Sequence, residues 1–101
     1  MPVILKQVMP DNVSLEILDA VTDEMSADSN PPAGLILHTH YKEGGRVHVF
    51  DLWETEADYQ AFAEQRLGPA MGKVVAQHGI TPPAASEQPT ISQAHRVVRG
   101  R

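Results

Sequence analysis

The sequence predicts an α+β domain of element order βαββαβ, in which two helices cover one face of a four-stranded antiparallel sheet. Three observations predict it. Four short stretches rich in β-branched and apolar residues have the character of strands, two longer stretches repeat apolar residues at helical spacing, and Gly44-Gly45 between the middle strands is a hairpin signal. At 101 residues and 42% hydrophobic content there is material for one domain, residues 1–101. A domain of that size buries only ~65% of its unfolded surface, so a partner subunit would add to a modest core.

The first strand is predicted over residues 3–9 and stops at Pro10-Asp11-Asn12, which cannot continue a ladder and suits a helix start. The first helix follows over residues 13–27, where Leu15, Leu18, Val21, Thr22 and Met25 recur at helical spacing. Asp11, Asn12 and Ser14 are available as caps, and Glu16 lies near the positive end of the dipole. Residues 28–34 are a dense turn cluster. Strands two and three are predicted over residues 35–41 and 46–53, with Lys42-Glu43-Gly44-Gly45 turning between them. Thr55-Glu56-Ala57-Asp58 has the form of a capping box with Asp for Glu, and Tyr59, Phe62, Ala63 and Leu67 follow on one face. Gly68-Pro69 is predicted to break or kink this second helix. It resumes over residues 70–78 with Met71, Val74 and Val75 inward, and Gly79 fits the position after its end with Ile80 as its apolar partner. Residues 81–89 read as a loop, and residues 90–98 as the last strand.

The apolar pattern of the sheet carries a further implication. On strand two Leu35 and Leu37 point one way and Ile36 the other; on strand three Val47, Val49 and Trp53 oppose Phe50 and Leu52. Neither face reads as solvated, whereas an antiparallel sheet with one wet side alternates apolar and polar. The helices cover one face. Leaving four large side chains bare on the other would forgo about 1.5–3 kcal/mol each, so a homodimer packed through that face is expected.

Composition excludes other classes. Thirteen acidic against eight basic residues give a net charge of −5, and the bases are scattered except in residues 96–101, which read as a frayed terminus. Nucleic acid is therefore not expected as a partner. There is no cysteine, which removes disulfides, thiolate metal sites and a cysteine nucleophile and agrees with a reducing compartment. No apolar run approaches the roughly twenty residues of a membrane span, and Met1-Pro2-Val3-Ile4-Leu5-Lys6 lacks the form of a signal peptide. A cytoplasmic protein without a membrane partner is expected.

Gly34-Leu35-Ile36-Leu37-His38, the run from Arg46 to Thr55 (RVHVFDLWET), Phe62, and Arg66-Leu67-Gly68-Pro69-Ala70 together resemble the dimeric α+β barrel superfamily. The nearest resemblance is to small proteins related to the antibiotic-biosynthesis monooxygenases; it covers most of the chain and is strongest over residues 34–71. It implies a ferredoxin-like βαββαβ fold and a homodimer with one pocket per subunit between sheet and helices. Similar proteins include cofactor-free oxygenases acting on aromatic polyketides, polyketide cyclases, lactone isomerases, haem-degrading enzymes and members without known activity. Haem-degrading relatives carry an axial His on the second helix. Here that helix has none before His78 at its end, where an imidazole suits the negative pole of the dipole.

Candidate chemistry gathers on the hairpin, where His38, His40 and His48 lie with Tyr41, Asp51 and Trp53. With Gly44-Gly45 as a two-residue loop, Glu43 faces Arg46, His38 falls opposite Asp51, Ile36 falls opposite Trp53, and His40 shares their face. With a three-residue loop bulged at Gly45, Lys42 faces Arg46 and the three His share a face. The first register makes a general base: Asp51 fixes the tautomer of His38, whose other nitrogen takes a proton from an acidic phenol or carbon acid. The resemblance implies this register, because the family pattern has counterparts of His38, Asp51 and Trp53. The second register suits a divalent metal. Trp53, Tyr59 and Phe62 form core or wall an aromatic pocket; Arg66 is a solvated charge or binds a carboxylate or phenolate at the pocket mouth.

The leading expectation is a cofactor-independent monooxygenase or cyclase-type enzyme for an aromatic or polyketide-like molecule. His38 and Asp51 are its catalytic pair, and Trp53, Tyr59, Phe62, His40 and Arg66 its substrate contacts. The alternatives are a non-catalytic small-molecule-binding or accessory protein of the same fold, and a His-rich metal-binding variant.

Overall fold

A computed structural model describes residues 1–80 and 88–100. Among them the elements run β1 (Val3–Val8), α1 (Leu15–Glu24), β2 (Leu35–Glu43), β3 (Arg46–Trp53), α2 (Glu56–Phe62), a π-helical turn (Ala63–Leu67), α3 (Gly68–Gln77) and β4 (Thr90–Gln93). The strands form one antiparallel sheet of order β2-β3-β1-β4, the ferredoxin-like α+β arrangement. Most of the predicted 81–89 loop, residues 81–87, and Arg101 of the basic tail lie outside the described residues.

Local chemistry sets most boundaries. The Ser14 hydroxyl accepts from the Ile17 amide and opens α1, which presses Ile17, Leu18 and Val21 onto the sheet. The Thr55 hydroxyl accepts from the Asp58 amide and opens α2. α3 packs against α1 and ends with the Gly79 amide donating to Ala76 and the Ile80 amide to Val75, Gly79 sitting at φ +65°. Leu5, Trp53 and Val74 are the deepest large side chains of the core between helices and sheet.

Three expectations are corrected. Of the break or kink expected at Gly68-Pro69, the break does not occur. The second helix widens into a π turn, with the Gly68 amide donating to the carbonyl of Ala63, and continues as α3 with Pro69 in its first turn. Proline has no amide to give and its ring collides with the carbonyl four residues back, so one wider turn lets the helix pass it. β4 pairs for four residues rather than nine. Gln93 already faces Val3, and after Ala94 donates to Pro2 almost no partner chain remains on β1. Finally, a bulge at Ile36 puts Leu35 opposite Trp53 and Leu37 opposite Leu52, so Leu35 and Leu37 point to opposite faces and Leu35, not Ile36, faces Trp53.

The helix-side face of β3 is Val47, Val49, Asp51 and Trp53, all buried. Cross-strand pairing puts Ile4, Val8, Leu37, Tyr41, Phe50 and Leu52 on the other face, where Leu37 is 49% exposed. That face also carries Lys6, Thr39, His48, Thr90 and Ser92, so it is apolar in part where the sequence pattern implied two apolar faces. Among the described residues no helix is long and apolar enough to cross a membrane.

Candidate functional site

Gly44 and Gly45, at φ +60° and +78°, make the two-residue turn that glycine pairs favour, and Glu43 faces Arg46. The first of the two registers is therefore the one formed. It sets His38 opposite Asp51 on the helix side of the sheet, with His40 two residues on along the same face. His48 faces away, paired with Tyr41 and stacked on its ring at 5.3 Å. The three-imidazole grouping is thus not formed, and among the described residues no set of three or more His, Cys, Asp or Glu side chains is gathered for a metal ion.

Asp51 anchors the site. Its residue is 4% exposed, and both its oxygens are used: Oδ1 lies 2.6 Å from Nδ1 of His38, and Oδ2 accepts from the indole N–H of Trp53 at 3.2 Å. A carboxylate can only accept, so His38 carries its proton on Nδ1. Nε2 of His38 lies 3.0 Å from Nδ1 of His40, and Nε2 of His40 lies 2.7 Å from Oδ1 of Asp19 on α1. The result is a head-to-tail array, Asp51–His38–His40–Asp19, in which each ring nitrogen of the two histidines has a partner. Asp19 is the member that sequence reading missed. It lies beside the apolar stripe of α1 among Glu16, Asp23 and Glu24, and nothing local ties it to a histidine 21 positions away.

A cavity of about 450 Å³ opens between sheet and helices, within the range of small-molecule sites. His38, His40 and Asp51 are on its wall, with Leu18 and Val21 of α1 and Met25 just past its end. Trp53, Tyr59 and Phe62 line it as well; the indole meets the Tyr59 ring edge-on at 5.8 Å and the Phe62 ring at 5.1 Å, so these aromatics are core and pocket wall at once. Burial, and after it the neighbouring Asp51 carboxylate, raise the Tyr59 phenol above its ordinary pKa, which keeps it a neutral donor.

Arg66 is not part of this wall. Its Nη2 donates to the carbonyls of Met25 at 2.6 Å and Asn30 at 2.9 Å, fastening the α1–β2 loop whose Ala27, Asp28, Pro31 and Pro32 rim the cavity. Arg66 was expected at the pocket mouth; it does not line the cavity, and its Nη2 serves the loop instead.

No family model matches the chain, and no curated protein matches it by sequence. Solved structures do. The chain is similar to SnoaB, a cofactor-independent oxygenase from Streptomyces nogalater, at 12% identity over 96% of this chain and 95% of that one, with a TM-score of 0.59. It is similar to Rv0793 from Mycobacterium tuberculosis at 21% identity over 98% and 100% of the two chains, with a TM-score of 0.56. A Nitrosomonas europaea protein provisionally named an antibiotic biosynthesis monooxygenase gives 15% identity over 95% and 100%, with a TM-score of 0.59. Over nearly its whole length, the chain has the fold of the antibiotic-biosynthesis-monooxygenase-like structures.

Proposed function

We propose that the protein is a cofactor-independent monooxygenase or cyclase-type enzyme acting on an aromatic or polyketide-like small molecule, and that it works as a homodimer. One observation carries the reading: a carboxylate-oriented imidazole, His38 on Asp51 at 2.6 Å, stands on the wall of an apolar cavity lined by Trp53, Tyr59 and Phe62. Aromatic walls suit a polycyclic guest, and the Tyr59 phenol supplies a donor to its oxygen. The base removes a proton from an acidic methylene or phenol. The resulting carbanion, its charge spread over the ring system, either closes a ring or adds dioxygen. In the second case a methylene and dioxygen give a carbonyl and water, the imidazolium returning its proton to the peroxide.

The open sheet face supports the dimer, since Ile4, Leu37, Tyr41, Phe50 and Leu52 would each be relieved of water by a second copy. A chain without cysteine suits a reducing cytoplasm, and that location belongs to the same proposal.

The test is oxygen uptake, and product formation, with a polycyclic phenolic ketone bearing an acidic methylene. His38→Ala is expected to lose turnover while sedimenting as the wild type does. Undiminished turnover in that variant would take His38 out of the mechanism. A second reading, a non-catalytic binding protein, is favoured by one observation: Nε2 of His38 is already engaged by His40. It predicts quenching of Trp53 fluorescence by the same ligand, equal in wild type and His38→Ala, with no oxygen consumed.

A further inference from the structure

We infer that the Asp51–His38–His40–Asp19 array holds one proton more than two neutral imidazoles carry, that the mobile proton sits between the two rings, and that Asp19 is a positioning residue for it. Three contacts of 2.6, 3.0 and 2.7 Å join the four groups, and each needs one hydrogen. Ionised carboxylates bring none and two neutral imidazoles bring two. With two hydrogens, one contact would set lone pair against lone pair, so the closed array contains a third.

Which contact gives up its proton follows from the partners. The outer two contacts end on carboxylates and are the shorter, each proton being held against an anion. The middle contact, nitrogen to nitrogen at 3.0 Å, is the longest and joins a cationic ring to a neutral one, with no opposite charge to hold its proton. Asp51 therefore retains the proton on Nδ1 of His38, and Asp19 retains the proton on Nε2 of His40. Loss of the third proton leaves Nε2 of His38 and Nδ1 of His40 bare and facing each other, both rings being on the cavity wall. Their repulsion parts them, and a lone pair becomes available to a guest. This resolves the engagement of His38 in the closed array: the closed form is the one that has already taken up its proton.

The other titratable side chains lining the cavity are Tyr59 from α2, whose phenol is held neutral, and Asp28 at the rim; no Lys or Arg among the described residues lines it. The proton between the rings is thus the cation that a deprotonated guest would meet. With a guest seated over the imidazoles, the route left for that proton to water runs through His40 to Asp19, whose side chain is 66% exposed. In turnover the guest's O–H or C–H bond breaks, its electron pair stays on the guest, and the proton enters the gap between Nε2 of His38 and Nδ1 of His40. That use rests on the base-catalysed reading above; the proton count does not.

The experiment is 15N NMR of the ring nitrogens in ligand-free protein across the pH range in which the pair titrates. The expected result is that Nδ1 of His38 and Nε2 of His40 stay protonated throughout, while the two inner nitrogens change together in one single-proton step. In Asp19→Asn, which exchanges an exposed carboxylate for an uncharged amide, Nε2 of His40 is expected to become the nitrogen that loses its proton. Two separate steps in the wild type, or a bare Nε2 of His40 in its deprotonated form, would overturn the inference. Asp19→Asn is also expected to lower kcat about tenfold with KM within about twofold. The NMR pattern without any turnover would leave the inference standing and remove the enzymatic reading. Full turnover in His40→Gln beside an inactive His38→Ala would overturn the positioning role given to Asp19 and leave the enzymatic reading standing.

Discussion

Asp51 is a buried carboxylate with no Lys or Arg partner among the described residues; an imidazole and an indole N–H divide its two oxygens. Asp51→Ala leaves both of those donors unmet, and a loss of about 1–3 kcal/mol in unfolding free energy is expected from denaturant titration. Tyr59 yields a pH prediction. Its phenol pKa is raised in the folded chain, so the native state binds the proton more tightly than the unfolded state does. The stabilisation is full below the ordinary phenol value of about 10 and is lost as pH climbs through the higher folded value. Stability is expected to fall across that alkaline window, and Tyr59→Phe to flatten the fall. The His38–Asp51 pair was legible in the sequence as one of two registers, because a hairpin turn fixes cross-strand partners once its length is known, and the resemblance implied the shorter loop. Asp19 was not, because α1 and β2 meet through tertiary packing and no sequence interval encodes that meeting.

At the level of elements, two backbone features constrain the site from outside it. Gly34, at φ +83°, accepts from the Glu54 amide at 2.7 Å, and a Cβ there would overlap the Asp58 side chain. Gly34→Ala is expected to cost about 1–2 kcal/mol for the left-handed backbone alone, with more from the overlap, read as a lowered Tm. The π turn carries Arg66, which ties down the loop at the cavity rim. Arg66→Ala is expected to speed hydrogen exchange at Asn30 and Leu35, whose amides close turns in that loop, while core amides such as Leu5 keep their protection. Capping at Ser14 and Thr55 and the turn at Gly79 could be read from residue type, since each depends on a few neighbours. The π turn and the Ile36 bulge could not, because both shift the phase of a pattern without changing which residues are apolar.

For the whole molecule, the decisive property is a sheet whose second face is apolar in part. That was visible as alternation on β3, where Phe50 and Leu52 oppose Val49 and Trp53. The length of β4 was not, because it is limited by where β1 begins and not by anything within residues 90–98. Phe50→Lys is expected to split the proposed dimer while leaving the fold, since the lysine would stand on the face away from the helices; sedimentation at micromolar concentration together with far-UV circular dichroism checks both. A wild type that sediments as a folded single chain would refute the dimer.

The strand order has one more consequence. β2 is an outermost strand, hydrogen-bonded along only one side, and it is the strand that bears His38 and His40. Movement of that ribbon away from α1 would part His40 from Asp19 and lift Leu35 off the core, while Leu5 and Trp53 lie on inner strands with a neighbour on each side. A bulky visitor could be admitted by the breathing of one edge, and the inner strands would not have to part to let it in.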